Sequence, residues 1–353
     1  MTKPKKIAVN PEDQSLKLSL PVAVGSYLLF LILGLILQYR DVTITNYHLG
    51  TSLIIVSALV PLYFIFTIFH RKLKEDALNR KISFGFNYWF WRDGVLSLAY
   101  AIIFAAIGFL AAVVINLAFK GFIYQPYTVA IWPALAAAAW AYFSINLAEN
   151  FKPTDIINVV GIVLIGGVTL SAILNPNPQW WEESISYLGM NKYESAKILN
   201  LTLILSGALL VVLSSFFSRR FETLRKSKMI TDRASKLLNF VFVAAPIGLA
   251  CVGIFPYKPE APRMYIHNFS AGVAFGLFGL VILLTYWLFP FFSKYFMRVN
   301  YILLAALVVI FSMNIVEYLT LALTEMMAFG IIAVWMVLFL RSINGVMDWD
   351  NIT

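Results

Sequence analysis

The side chains that could do chemistry in this sequence are few, and most of them lie in its second half. Asn268 directly follows His267, while Trp181, Glu183 and Ser186 share one polar stretch. An imidazole exchanges a proton near neutral pH, and a serine hydroxyl becomes a nucleophile when such a base activates it. Tryptophan side chains favour the interface between a membrane and water. These types favour either a ligand pocket or an acyl-transfer site.

Two further candidates are Asn200 and Glu325, each close to the end of an apolar run. A polar amide at that depth needs a hydrogen-bond partner, and a carboxylate sets the local charge. Simpler interpretations stand beside these. Glu325 could be a loop residue or an acid that complements a helix dipole, Ser186 a turn residue, and His267 a solvated residue among lipid head groups.

Several classes of chemistry lack their usual motifs. The three histidines, His48, His70 and His267, do not form an HExxH motif or an i, i+4 pair, and Cys251 is the one cysteine. The sequence has neither a Walker loop nor a dinucleotide-binding glycine pattern. We therefore predict no metal site, no cofactor and no ATP-driven transport by this chain alone.

The elements that position these residues are membrane helices. Of 353 residues, 60% are hydrophobic and 13% charged, whereas a soluble domain has about 25% charged residues. The mean hydropathy is +0.79. This composition predicts an all-α, polytopic membrane helix bundle. The net charge of +9 is then interpreted as a sign of orientation and not of nucleic-acid binding.

Ten apolar runs are long enough to cross a bilayer, which takes about 17 to 25 residues each. We predict ten transmembrane helices, at about 22–38, 51–70, 95–118, 129–147, 156–174, 198–217, 237–255, 267–289, 301–317 and 325–341. The first run lacks a small-residue cleavage site and is expected to be a retained anchor.

The basic residues predict which side each loop faces. With the N-terminus inside, ten helices leave only six of the 27 lysines and arginines outside: Arg40, Lys120, Lys192, Lys197, Lys258 and Arg263. Cytoplasmic loops carry the excess of basic residues in membrane proteins. Both termini are therefore predicted to be cytoplasmic, in a multi-pass protein of the cell membrane, with the candidate residues toward the outer face.

A polar linker near residue 150 separates two stretches of different composition, of which the second is richer in glycine at helical spacing. We predict a four-helix part at 1–150 and a six-helix module at 151–353. Gly272, Gly276 and Gly279 form a small-residue stripe that lets another helix approach closely. Packing within the chain is the favoured explanation, and a partner membrane protein or homo-oligomer is the alternative.

The segments ISYLGMNKYESAKILNLTLILSGALL and GIFPYKPEAPRMYIHNFSAGVAF, with Glu325 before a last helix that contains Trp335, resemble the bacterial six-helix family catalogued as domain of unknown function 998. A more distant similarity is to the DRAM/Sfk membrane families. The resemblance covers roughly residues 155–341 and implies a membrane-embedded module with no established reaction. The distant relatives imply that it handles lipid head groups or regulates lipid distribution. The positions that match the family pattern are Ile185, Ser186, Leu188, Gly189, Asn200, Gly253, Phe255, Pro256, His267 and Ala271.

Three hypotheses of function follow. The favoured one is a non-enzymatic protein that binds a lipid or amphiphile head group in an outer-face pocket, with membrane lipids as its partners. The second is a secondary transporter for a small solute, although ionisable residues along a path and inverted repeats are not evident. The third is an intramembrane acyl- or head-group transferase or hydrolase with His267 as base and either Ser186 or a substrate hydroxyl as nucleophile. The version with Ser186 requires the two side chains to lie within hydrogen-bond distance, directly or through one water molecule.

Overall fold

Long helices make up most of the computed structural model, which describes residues 11–37, 49–80, 86–118, 125–152, 155–190 and 195–349. The described residues contain no β-strand. The helices are α1 (Pro11–Ile36), α2 (Leu49–Arg80), α3 (Phe86–Ala118), α4 (Pro126–Glu149), α5 (Asp155–Ile173), α6 (Ile185–Leu188), α7 (Ser195–Lys226), α8 (Asp232–Ile254), α9 (Arg263–Leu288), α10 (Lys294–Ile315) and α11 (Leu321–Trp349). A 3-10 turn spans Trp180–Glu182.

Every helix except α6 is long and apolar enough to cross a membrane, which gives ten candidate spans among the described residues. The predicted fold class, a polytopic helix bundle with about ten spans, is confirmed. The short helix α6 was not expected. The cytoplasmic location of the termini stays a prediction, and Arg40, Lys120 and Lys192, which helped to support it, lie outside the described residues.

The chain forms two compact units, one up to Lys152 and the other from Pro153 onward. In the first unit α4 packs against α1 and α2, and α2 also packs along α3. Polar side chains join these helices: the Trp140 indole donates to Ser57 Oγ at 2.7 Å, and Glu149 pairs with Arg71 and Lys72. The division into separate domains at residue 150 stays a prediction.

In the second unit α7 packs between α5 and α8, α8 packs on α9, and α10 contacts both α9 and α11. Two glycines set the close approach of α7 and α8. A Cβ on Gly207 would lie 2.6 Å from the Pro246 carbonyl oxygen, and one on Gly253 would lie 2.5 Å from the Asn200 carbonyl oxygen. Any larger side chain would push these two helices apart.

The predicted glycine stripe on α9 packs differently from the expectation. No described neighbouring atom lies within 4 Å of a Cβ built on Gly272, Gly276 or Gly279. The favoured explanation, close packing within the chain at these three glycines, is therefore wrong for the described residues. A partner protein or homo-oligomer on this face stays a prediction.

One end of the second unit, where α7 and α9 finish, is filled with aromatic rings. Phe339 of α11 lies at its centre and is fully buried. Its ring centroid is 4.7 Å from that of Trp335, 5.0 Å from that of Phe289 and 5.5 Å from that of Phe242. We call Phe217, Phe221, Phe242, Phe289, Phe292, Trp335 and Phe339 the aromatic cluster.

Candidate functional site

The stretch between α5 and α7 folds onto the start of α11 and presents Ser186. Ser184 caps α6, because its hydroxyl accepts the Tyr187 backbone N–H at 3.1 Å. The backbone carbonyl of Glu183 accepts the Ala322 N–H at 3.2 Å. Ser184 therefore has the capping role, whereas Ser186, for which the sequence also allowed a turn role, faces a different partner.

That partner is His267, whose Nε2 lies 2.9 Å from Ser186 Oγ. His267 is on the second turn of α9 and is only 3% exposed. The contact joins residues that are 81 positions apart. The distance required by the transferase or hydrolase hypothesis is therefore met.

The other ring nitrogen of His267 determines how the proton is shared. His267 Nδ1 lies 2.8 Å from the Phe255 carbonyl oxygen, which can only accept a hydrogen bond. A neutral imidazole carries one N–H, so Nδ1 donates to Phe255 and Nε2 accepts the Ser186 hydroxyl. The carbonyl is available because Phe255 is the C-cap of α8, where the helix carbonyls lose their intrahelical partners.

Glu325 secures the backbone beside Ser186. Its Oε2 accepts the N–H of Ile185, the first residue of α6, at 2.7 Å. The first N–H groups of any helix have no intrahelical acceptor. The Glu325 carboxyl therefore caps α6 from another helix, and neither of the two interpretations from sequence, loop residue or dipole partner of its own helix, describes this contact.

Asn200 holds the other end of α6. Its side-chain nitrogen donates to the Gly189 carbonyl at 3.1 Å. A Cβ on Gly189 would lie only 2.8 Å from Asn200 Oδ1, so a side chain there would displace the amide. Helices α7, α9 and α11 thus each contribute one polar side chain that fixes this four-residue helix.

A small cavity, the polar pocket, has a volume of about 30 Å³. A cavity measured in this way needs roughly 10–15 Å³ to hold one water molecule, so the pocket has room for about two. Its lining residues are Ile185, Ser186, Gly189, Leu199, Asn200, Leu203, Leu249, Val252, Tyr257, His267, Ala271, Phe275, Glu325 and Phe329.

A larger cavity, the apolar chamber, adjoins the polar pocket and has a volume of about 290 Å³. The two cavities share Ile185, Leu203, Leu249, Phe275 and Phe329. The remaining lining residues are Ile157, Val160, Gly161, Leu164, Ile165, Val168, Thr169, Leu210, Ala245, Pro246, Ala274, Phe278, Met326, Gly330, Ile332, Ala333 and Met336. Thr169 supplies the sole polar side chain among the described residues of this wall.

The structure brings four of the seven candidate site residues together: Ser186, Asn200, His267 and Glu325 all line the polar pocket. The other three, Trp181, Glu183 and Asn268, have exposed side chains and line neither cavity. Ligand binding by all seven stays a prediction. No group of three or more His, Cys, Asp or Glu residues in the described part of the chain could hold a metal ion.

Sequence reasoning missed the apolar chamber and the role of Tyr257. The Tyr257 ring meets the His267 ring edge to face with centroids 5.6 Å apart, so it restricts how the imidazole can turn. A tyrosine in a proline-rich loop gives no signal of this contact. Helix packing creates the chamber, and a single apolar sequence carries little information about which faces fail to meet.

Comparison with known families identifies the family of this chain. Residues 159–342 match the model of the family described as "Protein of unknown function (DUF998)", and because this is more than half of the chain, the protein belongs to that family. No curated protein and no solved structure matches. The family assignment confirms the main resemblance, while the distant similarity to the DRAM/Sfk families stays a prediction.

Proposed function

Starting from a multi-pass DUF998 membrane protein, we propose that its second unit binds a membrane amphiphile. The hydrocarbon chain occupies the apolar chamber, and a small neutral polar group occupies the polar pocket. The observation that carries this proposal is that five residues line both cavities, which puts a chamber free of charged side chains next to the pocket that Ser186, His267 and Glu325 line.

The chamber has an open side through which a chain could enter. Ile165 of α5 is 72% exposed and Met326 of α11 is 47% exposed, although both line the chamber. Both helices are candidate membrane spans, so the surroundings of these side chains are lipid tails. A hydrocarbon chain would reach the chamber from the bilayer without crossing water.

Volume and charge narrow the class of ligand. The chamber is near the lower end of the roughly 300–1,000 Å³ typical of small-molecule sites, which favours one chain over two. The polar pocket has room for an ester carbonyl or a hydroxyl but not for a whole phospholipid head group or a sugar. The Glu325 carboxyl in its wall disfavours an anionic ligand, since burying a second acid beside it is costly. A neutral ester with a single long chain has these properties, and a monoacylglycerol is a convenient probe for that class.

The location of the protein is part of the same proposal. We propose the cell membrane, with both termini in the cytoplasm and the polar pocket near the outer face, because this orientation leaves few basic residues outside. In a Cys251→Ser background, a membrane-impermeant maleimide on whole cells should label Glu260→Cys and not Ser227→Cys. The reverse labelling pattern would overturn the orientation.

Filling the chamber tests the binding proposal. Gly161 lines the chamber and has open space around a built Cβ, so Gly161→Leu should fit and occupy the volume a ligand chain needs. The probe is a photoreactive, alkyne-tagged monoacylglycerol in phosphatidylcholine vesicles that contain the protein. We expect at least a tenfold loss of crosslinking.

The matched control is Gly166→Leu, which lies on the same helix, also has open space and lines neither cavity. It should crosslink like the wild type, because its side chain lies outside the chamber. Both variants replace glycine with a good helix former, so any effect of the change on the helix itself is matched. Equal crosslinking of wild type and Gly161→Leu would contradict the proposal. Uptake of a small solute that depends on a proton gradient would instead favour the transporter hypothesis.

A further inference from the structure

We propose that Ser186 and His267 are a nucleophile and its general base, and that the second unit transfers the acyl group of the bound amphiphile. This inference rests on the proposed function, since the apolar chamber must hold the acyl chain. It names the substrate class as a neutral ester with one long chain and the reaction as hydrolysis or acyl transfer.

The first support is the arrangement around the imidazole. Ser186 Oγ is 2.9 Å from Nε2, and the Phe255 carbonyl oxygen is 2.8 Å from Nδ1. A serine acyl-transfer site consists of a nucleophile, a base that is hydrogen-bonded to it, and a group that orients the base. Here a backbone carbonyl does the orienting.

The second support is an open space beside the two side chains. Ser186 and His267 both line the polar pocket, which has room for a carbonyl group and a water molecule. A hydrogen bond that only joined two helices would not need such a space. The apolar chamber begins at the same wall, so a chain held there would present its ester carbonyl to Ser186.

The polar pocket also contains a hydrogen-bond donor for the carbonyl oxygen of the substrate. Asn200 lines the polar pocket, and its amide has two N–H groups, one of which goes to the Gly189 carbonyl. The second can stabilise the negative charge that develops on the substrate oxygen. Glu325 is a positioning residue, because it holds the Ile185 N–H beside the nucleophile.

The reaction balances with water as the second substrate. Ser186 Oγ attacks the ester carbonyl carbon while His267 Nε2 takes the hydroxyl proton. The tetrahedral intermediate expels the alcohol, which receives that proton, and leaves an acyl ester on Ser186. Water then gives a proton to Nε2 and attacks the acyl carbon. The second tetrahedral intermediate expels Ser186 Oγ, which takes that proton back from Nε2, and the carboxylic acid is released. A second alcohol in place of water gives acyl transfer.

A fluorophosphonate with a hexadecyl chain tests the inference, because it forms a phosphonyl ester with an activated serine and releases fluoride. We expect mass spectrometry of the labelled full-length protein to find the adduct on Ser186. Ser186→Ala should abolish it, and His267→Ala should slow labelling by about 100-fold or more, the usual contribution of a general base. Ser312→Ala, which removes an exposed serine on α10, should label like the wild type.

The site of the adduct in the wild-type protein decides the result even if Ser186→Ala fails to fold. Gly161→Leu should reduce labelling by the hexadecyl probe and spare labelling by a short ethyl probe. Monoacylglycerol crosslinking without a Ser186 adduct would overturn this inference and leave the binding proposal intact. A Ser186 adduct without crosslinking would support the nucleophile and overturn the binding mode, and failure of both would overturn both.

Discussion

The two ends of the second unit are built in opposite ways. The end where α7 finishes is closed by the aromatic cluster, in which Phe217, Phe221 and Phe339 are at most 1% exposed. The end where α7 begins carries polar side chains around an open space. From Asn200 to Phe217 the distance along α7 is about 25 Å at 1.5 Å per residue. One end is therefore packed for stability, and we propose that the other holds a ligand.

The same contrast separates two hydrogen-bond networks. Near the aromatic cluster, Asn300 donates to the Ile282 carbonyl at 2.9 Å and accepts the Trp335 indole N–H at 2.8 Å. Asn300 and Trp335 are almost fully buried and line neither cavity. Ser186 and His267 form an equally short bond that faces the polar pocket. A polar group in a membrane helix indicates function when space for a ligand lies beside it.

Truncation at the centre of the aromatic cluster should give the largest effect on stability. Phe339→Ala removes contacts with several rings, and Phe→Ala in soluble cores costs about 3–5 kcal/mol. The cost should be lower here, because lipid tails are as apolar as the protein interior. Reversible unfolding in mixed micelles measures it. Monoacylglycerol crosslinking of the folded fraction should not change. A lower crosslinking yield would contradict the separate roles of the two ends.

Asn300→Ala should have an intermediate effect. It leaves the Trp335 indole N–H without its acceptor, and interhelical hydrogen bonds in membranes contribute about 0.6–2 kcal/mol. Adding Trp335→Phe should cost little more, since the orphaned donor is then absent. Unfolding of both single variants and the double variant gives the coupling free energy. Strictly additive costs would contradict a structural role for this pair.

Glu325 should show the smallest effect on stability and a clear effect on the pocket. Glu325→Ala leaves the Ile185 N–H without an acceptor, at a cost of about 1 kcal/mol, and frees the backbone next to Ser186. Glu325→Gln keeps an acceptor oxygen and should restore most of the lost stability and crosslinking. If glutamine performed no better than alanine, the charge and not the hydrogen bond would be the essential property.

The fold could be predicted because membrane spans are local features of a sequence. Each of the ten runs had to satisfy all its backbone hydrogen bonds within one helix, and length and hydropathy alone indicate such a segment. Helix α6 escaped prediction because four residues carry no periodic pattern. Its ends are held instead by Glu325 and Asn200, which come from distant parts of the chain.

The site could be predicted only in part, and the reason is geometric. His267 and Ser186 are identifiable by residue type, and the transferase or hydrolase hypothesis requires their side chains to be in contact. Asn268 is next to His267 in sequence, but successive residues on a helix point about 100° apart, so it faces outward. The apolar chamber depends on the spacing of α5 and α11, which no run of apolar residues specifies.

The central claim is that an amphiphile fills the apolar chamber and ends at Ser186 and His267. A density map of the full-length protein, purified in nanodiscs of native lipid, tests it most directly. The proposed function predicts continuous, chain-shaped density in the chamber that ends within hydrogen-bond distance of these two side chains and disappears in Gly161→Leu. An empty or collapsed chamber, in a map that resolves lipids around the outside of the helices, would contradict it.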